Sequence, residues 1–363
     1  MGKKQRNSNL ELLRILSILY IVFHHYYVYG VMGETFKIPF NEYFLDLALC
    51  AHVAINCFVL ISGYFMAKQK VTLKKVLAIA GEVWFYSVGI LLLFMTVLTP
   101  ETPVGISTIV KSFLPIGYGR YWFVTGFVLL MIFSPYMNLL MEHMTQKQHL
   151  SMLLSMVLIW SVSSTFISTV WGFSGTVWLF VLYFTGGYIR FYLKPENAKP
   201  VKYLACGLAM FAITFTVTLI LNYIGREYGI SGIYENKNYF VRENSVLSYI
   251  SSIFFFLYFL TRKPFCSKTV NLISSASFGV YLIHENVLMR PFLWNSICRA
   301  EDWASSPWMP VHALVCVLGI FAVCTVVDLL RSMSVEKLWL KLIDAAAEPV
   351  RTKLSNLIDR ILG

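Results

Sequence analysis

The sequence predicts an all-α polytopic membrane protein of about ten transmembrane helices, followed by a cytoplasmic C-terminal amphipathic helix. Three observations predict it. Of the 363 residues, 57% are hydrophobic and 13% charged, where soluble domains carry about 25% charge; too few charged side chains remain to coat a soluble surface. The apolar residues fall in blocks about 20 long, the length of helix that crosses a hydrocarbon core roughly 30 Å thick. Basic residues gather in short segments between the blocks, as the charge rule for membrane topology expects. The net charge of +11 therefore reads as membrane orientation rather than as affinity for nucleic acid.

The spans follow in order. The first, 10–29, comes after Lys3, Lys4 and Arg6 and so has the outline of a signal peptide. It holds Arg14, His24 and His25, however, and lacks a small-residue cleavage site, which predicts a retained helix. Apolar blocks at 44–67, 76–98, 120–140, 151–171, 175–193 and 203–224 give spans two to seven. A short block at 245–260, then 270–293 and 310–330, complete the ten. With the N-terminus inside, fifteen Lys and Arg residues fall on the cytoplasmic side before the C-terminal tail and eight on the other. Both ends are therefore expected in the cytoplasm.

After Arg331 the pattern changes. Val335, Leu338, Leu342, Ala346, Val350, Leu354, Leu357 and Ile361 recur at helical spacing with charges between them. This is the pattern of an amphipathic helix lying on the inner membrane surface or against the bundle, with a kink expected at Pro349. The simplest division is a transmembrane domain over 1–333 and a helical tail over 334–363. The seven cysteines show neither metal-ligand spacing nor a disulfide framework, and no metal is expected.

Ionisable groups inside a bilayer are costly, so each is a functional candidate. The first span carries four: Glu11, Arg14, His24 and His25. Eleven residues separate Arg14 from His25; at 100° per residue that is about 20° beyond three full turns, and at 1.5 Å per residue roughly 16 Å of axis. One helix face thus presents a cation near the cytoplasm and an imidazole deeper in, an arrangement suited to an anionic cytosolic ligand whose reactive end is pushed inward. Two plainer readings stand beside it. Arg14 can snorkel to lipid phosphates or simply pair with Glu11, and either histidine can be satisfied by a neighbouring carbonyl.

Further candidates lie elsewhere. His284 and Glu285, in span nine, are candidate partners of the first-helix site. His52 and Asn56, four apart on span two, either bind substrate or satisfy neighbouring helices. Arg120 and Trp122 sit at the outer end of span four, where Arg contacts an acceptor or lipid phosphate and Trp anchors the interface. Ser62 next to Gly63 reads as close helix packing.

These residues carry a family resemblance. Asn9-Leu10-Glu11-Leu12-Leu13-Arg14, then ten residues, then His25, resembles the opening helix of acyltransferase family 3, with Glu11 and Leu12 in place of that family's usual Asp and Gly. His52 to Phe58 running into Ile61-Ser62-Gly63-Tyr64-Phe65 is similar to its second helix. Tyr121-Trp122-Phe123 resembles its Trp-Phe motif, and Ser277 to Glu285, including Tyr281 and His284, its late Tyr-Leu-x-His helix. The motifs occur in the family's order across spans one to four and nine.

The resemblance implies an integral O-acyltransferase of the bacterial cytoplasmic (inner) membrane. It would move an acetyl or similar acyl group from cytosolic acyl-CoA to a hydroxyl of a cell-surface glycan or its lipid-linked precursor. It implies His25 as the catalytic histidine, with Glu11 as its family-matched carboxylate, and Arg14 in the acyl-CoA site. His52, Asn56, Arg120, Trp122, Tyr281, His284 and Glu285 are the expected substrate-binding set. Acetyl-CoA is a donor substrate rather than a resident cofactor, and the partners are the donor, the sugar acceptor and membrane lipids. Direct transfer with His25 as general base and an acyl-histidine relay are both compatible with the residues. With only about 30 residues after span ten, the chain is expected to finish transfer alone or with a separate partner.

A transporter or flippase built on the same fold is the main alternative, and a glycan polymerase a third. Polymerases of that kind carry a large outer loop, whereas the longest here, 225–244, is modest. Slow hydrolysis of acetyl-CoA without acceptor separates an enzyme from a transporter.

Overall fold

A computed structural model describes residues 7–98, 103–166, 174–194 and 198–362, with side chains through residue 345. Lys3, Lys4 and Arg6, and part of the fifth expected span, lie outside the described residues. No strand occurs among the described residues. That is the expected consequence of an apolar solvent, in which a segment must satisfy its own backbone hydrogen bonds.

Thirteen helices carry the architecture: α1 Ser8–His25, α2 Pro39–Leu49, α3 His52–Met66, α4 Leu73–Thr96, α5 Ile106–Phe113, α6 Trp122–His143, α7 Gln146–Val157, α8 Gly175–Tyr192, α9 Pro200–Glu227, α10 Val246–Thr261, α11 Lys268–Ser275, α12 Ser277–His284 and α13 Met309–Leu362. Their starts follow the sequence. Asn7, Ser174, Ser245 and Ser267 cap with side-chain oxygens, Thr145 forms a capping box with Gln148, and Pro39 and Pro200 occupy first-turn positions.

Among the described residues, eight helical stretches are long and apolar enough to cross a membrane. The expected spans at 175–193 and 270–293 fall outside these eight. The first corresponds to α8, which has 18 residues. The second is broken at Ala276 into two eight-residue helices, α11 and α12. The expected second span is likewise two helices, α2 and α3, separated at Cys50–Ala51. Large apolar side chains such as Leu92, Ile132, Phe133, Val315, Leu318 and Leu330 are exposed on α4, α6 and α13, where lipid would cover them.

Helix α1 runs through the interior, packed on α3, α10, α11, α12 and α13. Its start is tied to the α10–α11 connection. The Ser8 amide donates to the Phe265 carbonyl at 2.8 Å, and the Asn9 side chain donates to the carbonyls of Arg262 and Lys263 at 3.2 and 3.1 Å. Helices α3 and α8 cross at backbone contact because both contribute glycine. A Cβ on Gly186 would stand 2.8 Å from the Leu60 carbonyl oxygen, and one on Gly63 2.9 Å from that of Tyr183. The expectation that Ser62–Gly63 marks close packing matches this crossing.

The tail is not a separate element. Helix α13 continues without interruption for 54 residues, about 81 Å at 1.5 Å per residue, so it outruns any bilayer and passes Pro349 as helix. Its middle lies along the start of α4. Arg331 is buried against Glu82 at 3.1 Å, Asp328 at 2.8 Å and Glu336 at 3.2 Å, and Lys74 meets Asp344 at 2.6 Å. The Trp339 indole covers Gly81, where a Cβ would fall 1.8 Å from its ring nitrogen.

Candidate active site

Five side chains of α1 share one stripe at helical spacing: Glu11, Arg14, Ile18, Ile21 and His25. They face two spaces in succession. Asn7, Leu10, Glu11 and Arg14 line a broad open cleft, together with Ser62, Tyr64, Phe65 and Met66 of α3, Phe127 and Met131 of α6, and Arg190 of α8. Ile18, Ile21 and His25 line a smaller, more enclosed cavity with Ile55 and Phe58 of α3, Trp122 and Phe123 of α6, and Ser277, Phe278 and Tyr281 of α12.

The two spaces lie end to end. On α1 the last cleft residue and the first cavity residue are Arg14 and Ile18; on α3 they are Ser62 and Phe58; on α6, Phe127 and Phe123. Each pair is four residues apart, one helical turn. Three helices thus line both spaces in succession, from Arg14 at one end to His25 at the other.

The polar groups of the cleft are already oriented. Arg14 Nη1 lies 3.1 Å from Glu11 Oε2, and that same carboxylate oxygen accepts the Ser274 hydroxyl at 2.6 Å. Arg190 donates to the Tyr64 hydroxyl at 2.9 Å, with its guanidinium over that ring. Two arginines therefore face the same open space, which suits an anion.

At the other end His25 meets α12. His284 Nδ1 lies 2.5 Å from the Val280 carbonyl oxygen. A carbonyl only accepts, so Nδ1 carries the hydrogen and, in the neutral ring, Nε2 is the acceptor. That acceptor lies 2.9 Å from His25 Nδ1, which must then be the N–H. The hydrogen-bond network thus assigns His25 the tautomer with a bare Nε2 lone pair, the form a general base requires. Glu285 Oε2 stands 3.3 Å from His25 Nδ1, where it would stabilise an imidazolium. The other oxygen of Glu285 accepts the Tyr29 hydroxyl at 3.1 Å and pairs with Arg290, whose guanidinium lies over the Tyr29 ring.

The expected site residues distribute unevenly. His25, Trp122 and Tyr281 line the cavity, and His284 and Glu285 contact His25 directly. Glu11, expected as a catalytic carboxylate, is fourteen residues from His25 on the helix, roughly 21 Å of axis, and pairs with Arg14. His24, the alternative to His25, is turned to the Ala48 carbonyl at 3.0 Å and does not line the cavity. His52 is anchored to the Leu49 carbonyl at 3.1 Å and lies 3.6 Å from Glu243. Asn56 is fully buried; it donates to the Glu243 carbonyl at 2.7 Å and accepts the Trp178 indole at 3.0 Å. Arg120 lies outside the cavity, 3.4 Å from the Ser112 hydroxyl.

Four further residues complete this arrangement. Tyr29 is four after His25 on the same helix face, and the spacing rule that joined Arg14 to His25 also reaches it. Arg290 and Arg190 read as topology charges at span ends. Ser277 opens the motif that runs to Glu285, but nothing in the sequence distinguishes its buried hydroxyl from a packing serine.

A family model described as an acyltransferase domain matches residues 7–331, nearly the whole chain. No curated protein and no solved structure matches.

Proposed function

The chain belongs to the acyltransferase-domain family, and we propose that within it this protein is a membrane O-acyltransferase using acyl-CoA as donor and a cell-envelope glycan, or its lipid-linked precursor, as acceptor. One observation carries the proposal: an arginine-bearing cleft and a cavity holding a histidine with a free Nε2 follow one another along α1, α3 and α6. Acyl-CoA has the matching shape, an anionic nucleotide on a long thin arm that ends in a thioester.

The donor's phosphates sit in the cleft against Arg14 and Arg190, facing the cytoplasm, and its arm enters past Ile18 and Ile21. The acceptor hydroxyl approaches from the His25 end. His25 Nε2 takes its proton as the oxygen attacks the thioester carbon. Glu285, 3.3 Å from His25 Nδ1, stabilises the imidazolium, and His284 keeps the ring in register. The carbon–sulfur bond then breaks and the thiolate leaves with the proton from His25. A positioned base of this kind contributes roughly 10²–10⁴-fold.

The test is incorporation of label from acetyl-CoA into envelope glycans, in cells lacking the gene and complemented with wild type or His25→Ala. Label with wild type and none with the variant at equal expression supports the proposal. Equal label with both overturns the assignment of His25.

A further inference from the structure

The cavity beside His25 contains more than a base. Its walls are apolar, formed by Ile18, Ile21, Ile55, Phe58 and Phe123, and among the described residues no Lys, Arg, Asp or Glu lines it. Two hydroxyls break this pattern. Those of Tyr281 and Ser277 are buried and have no hydrogen-bond partner among the described residues. An unpaired buried hydroxyl costs about 1–3 kcal/mol, so two of them lining one cavity mark a place where something else completes the hydrogen bonds.

We propose that this cavity is the acyl pocket of the enzyme, in which the Tyr281 hydroxyl donates to the thioester oxygen and Ile55 and Phe58 set the length of the acyl chain. The inference rests on the acyl-transfer reading and adds the group that holds the developing charge.

Tyr281 and His284 occupy neighbouring turns of α12, and His284 holds His25. The donor O–H and the base therefore sit on one rigid frame around the reacting carbon. As the acceptor oxygen bonds to that carbon, the carbonyl π electrons move to its oxygen, and the Tyr281 O–H donates to the resulting oxyanion. The oxyanion collapses, the carbon–sulfur bond breaks, and His25 returns the proton to the thiolate. Tyr281 keeps its own proton throughout. Ser277 lies four residues before Tyr281, about 6 Å back along α12, where the donor's arm passes; its hydroxyl serves an amide of that arm.

The walls also set selectivity. The cavity has room for only a few water-sized groups, which fits a two-carbon acyl group and not a long one. A succinyl group would bring a carboxylate into a space that no Lys or Arg lines among the described residues, and an unpaired buried charge is strongly disfavoured.

The experiment uses the full chain in lipid nanodiscs, following thiol release from acetyl-, butyryl- and succinyl-CoA. Wild type is expected to favour acetyl over both others by tenfold or more in kcat/KM. Tyr281→Phe is expected to lower kcat for acetyl-CoA by about 10²–10³-fold, the range for losing one oxyanion donor, with KM within about twofold. Ile55→Ala is expected to raise butyryl relative to acetyl turnover about tenfold or more, since a methylene-scale change in a pocket is worth roughly 10–200-fold. This arm stands even if Tyr281→Phe fails to fold. An unchanged kcat in folded Tyr281→Phe, an unchanged acyl profile in Ile55→Ala, or succinyl turnover equal to acetyl overturns the pocket while leaving the acyltransferase standing. No turnover of any acyl-CoA by wild type overturns the acyl-transfer reading, and the pocket with it.

Discussion

His284 accepts the Nδ1–H of His25 at 2.9 Å because its own Nδ1–H is committed to the Val280 carbonyl at 2.5 Å. A backbone carbonyl on α12 thereby fixes the tautomer of a histidine on α1, and the lone pair is left on the nitrogen not engaged with α12.

Replacing His284 should accordingly damage catalysis without damaging donor binding. His284→Ala is expected to lower kcat for acyl transfer at least tenfold and to leave KM for acyl-CoA within about twofold; a histidine in the wrong tautomer costs far more in other enzymes. Steady-state kinetics on purified protein read both values. A kcat equal to wild type would show that His25 needs no help from α12.

Arg14 acts at the opposite end and should show the opposite signature. A hydrogen bond to a charged group is worth about 1.5–3 kcal/mol, roughly 10–100-fold at 1.4 kcal/mol per decade. Arg14→Ala is expected to raise KM for acyl-CoA by that factor, with the smaller change in kcat. Because a bidentate guanidinium is not replaced by a point charge, Arg14→Lys should recover only part of the loss. A KM unaffected by either substitution would remove Arg14 from the donor site.

Glu285 and Arg290 should differ in what they do to stability. The Glu285 side chain is 3% exposed and that of Arg290 26%, so deleting the arginine strands a buried carboxylate, whereas deleting the carboxylate leaves a guanidinium that can reach solvent. Stranding a buried charge costs about 3–5 kcal/mol. Thermal unfolding in detergent should drop further for Arg290→Ala than for Glu285→Gln, and the double variant should recover part of the difference. The reverse order would contradict the burial argument.

The α3–α8 crossing makes a purely steric prediction. At Gly186 a new Cβ meets backbone atoms of Leu60 and Tyr64, both at 2.8 Å, whereas at Gly89 nothing lies within 4 Å. Gly186→Ala is expected to destabilise by about 1–3 kcal/mol, while Gly89→Ala on the open face of α4 is expected to be neutral or to stabilise by up to about 1 kcal/mol. Unfolding midpoints measured side by side check the pair.

Much of the site was legible in the sequence because it lies on one helix. Arg14 and His25 share a face by arithmetic alone, and the buried cost of charge singles them out. The breaks at Cys50–Ala51 and Ala276 were not legible. Neither contains Gly or Pro; Cys50–Ala51 lies in an apolar stretch, and Ala276 is marked only by the short run Ser274-Ser275-Ala276-Ser277. His284 was only one candidate partner for the first-helix site, and the direction of its hydrogen bond with His25 depends on the Val280 carbonyl, a backbone group the sequence does not reveal. The tail's path along α4 was equally hidden. Its apolar period is the same as that of the span it continues, and the contacts that hold it, Trp339 on Gly81 and Lys74 with Asp344, join residues more than 250 positions apart.

The most direct measurement is thiol release from acetyl-CoA by purified wild type and His25→Ala, with and without an envelope glycan extract. The account predicts slow release by wild type alone, faster release on adding acceptor, and a loss of about 10²–10⁴-fold in the variant. Wild-type and His25→Ala proteins that release thiol at the same rate, or not at all, would contradict it.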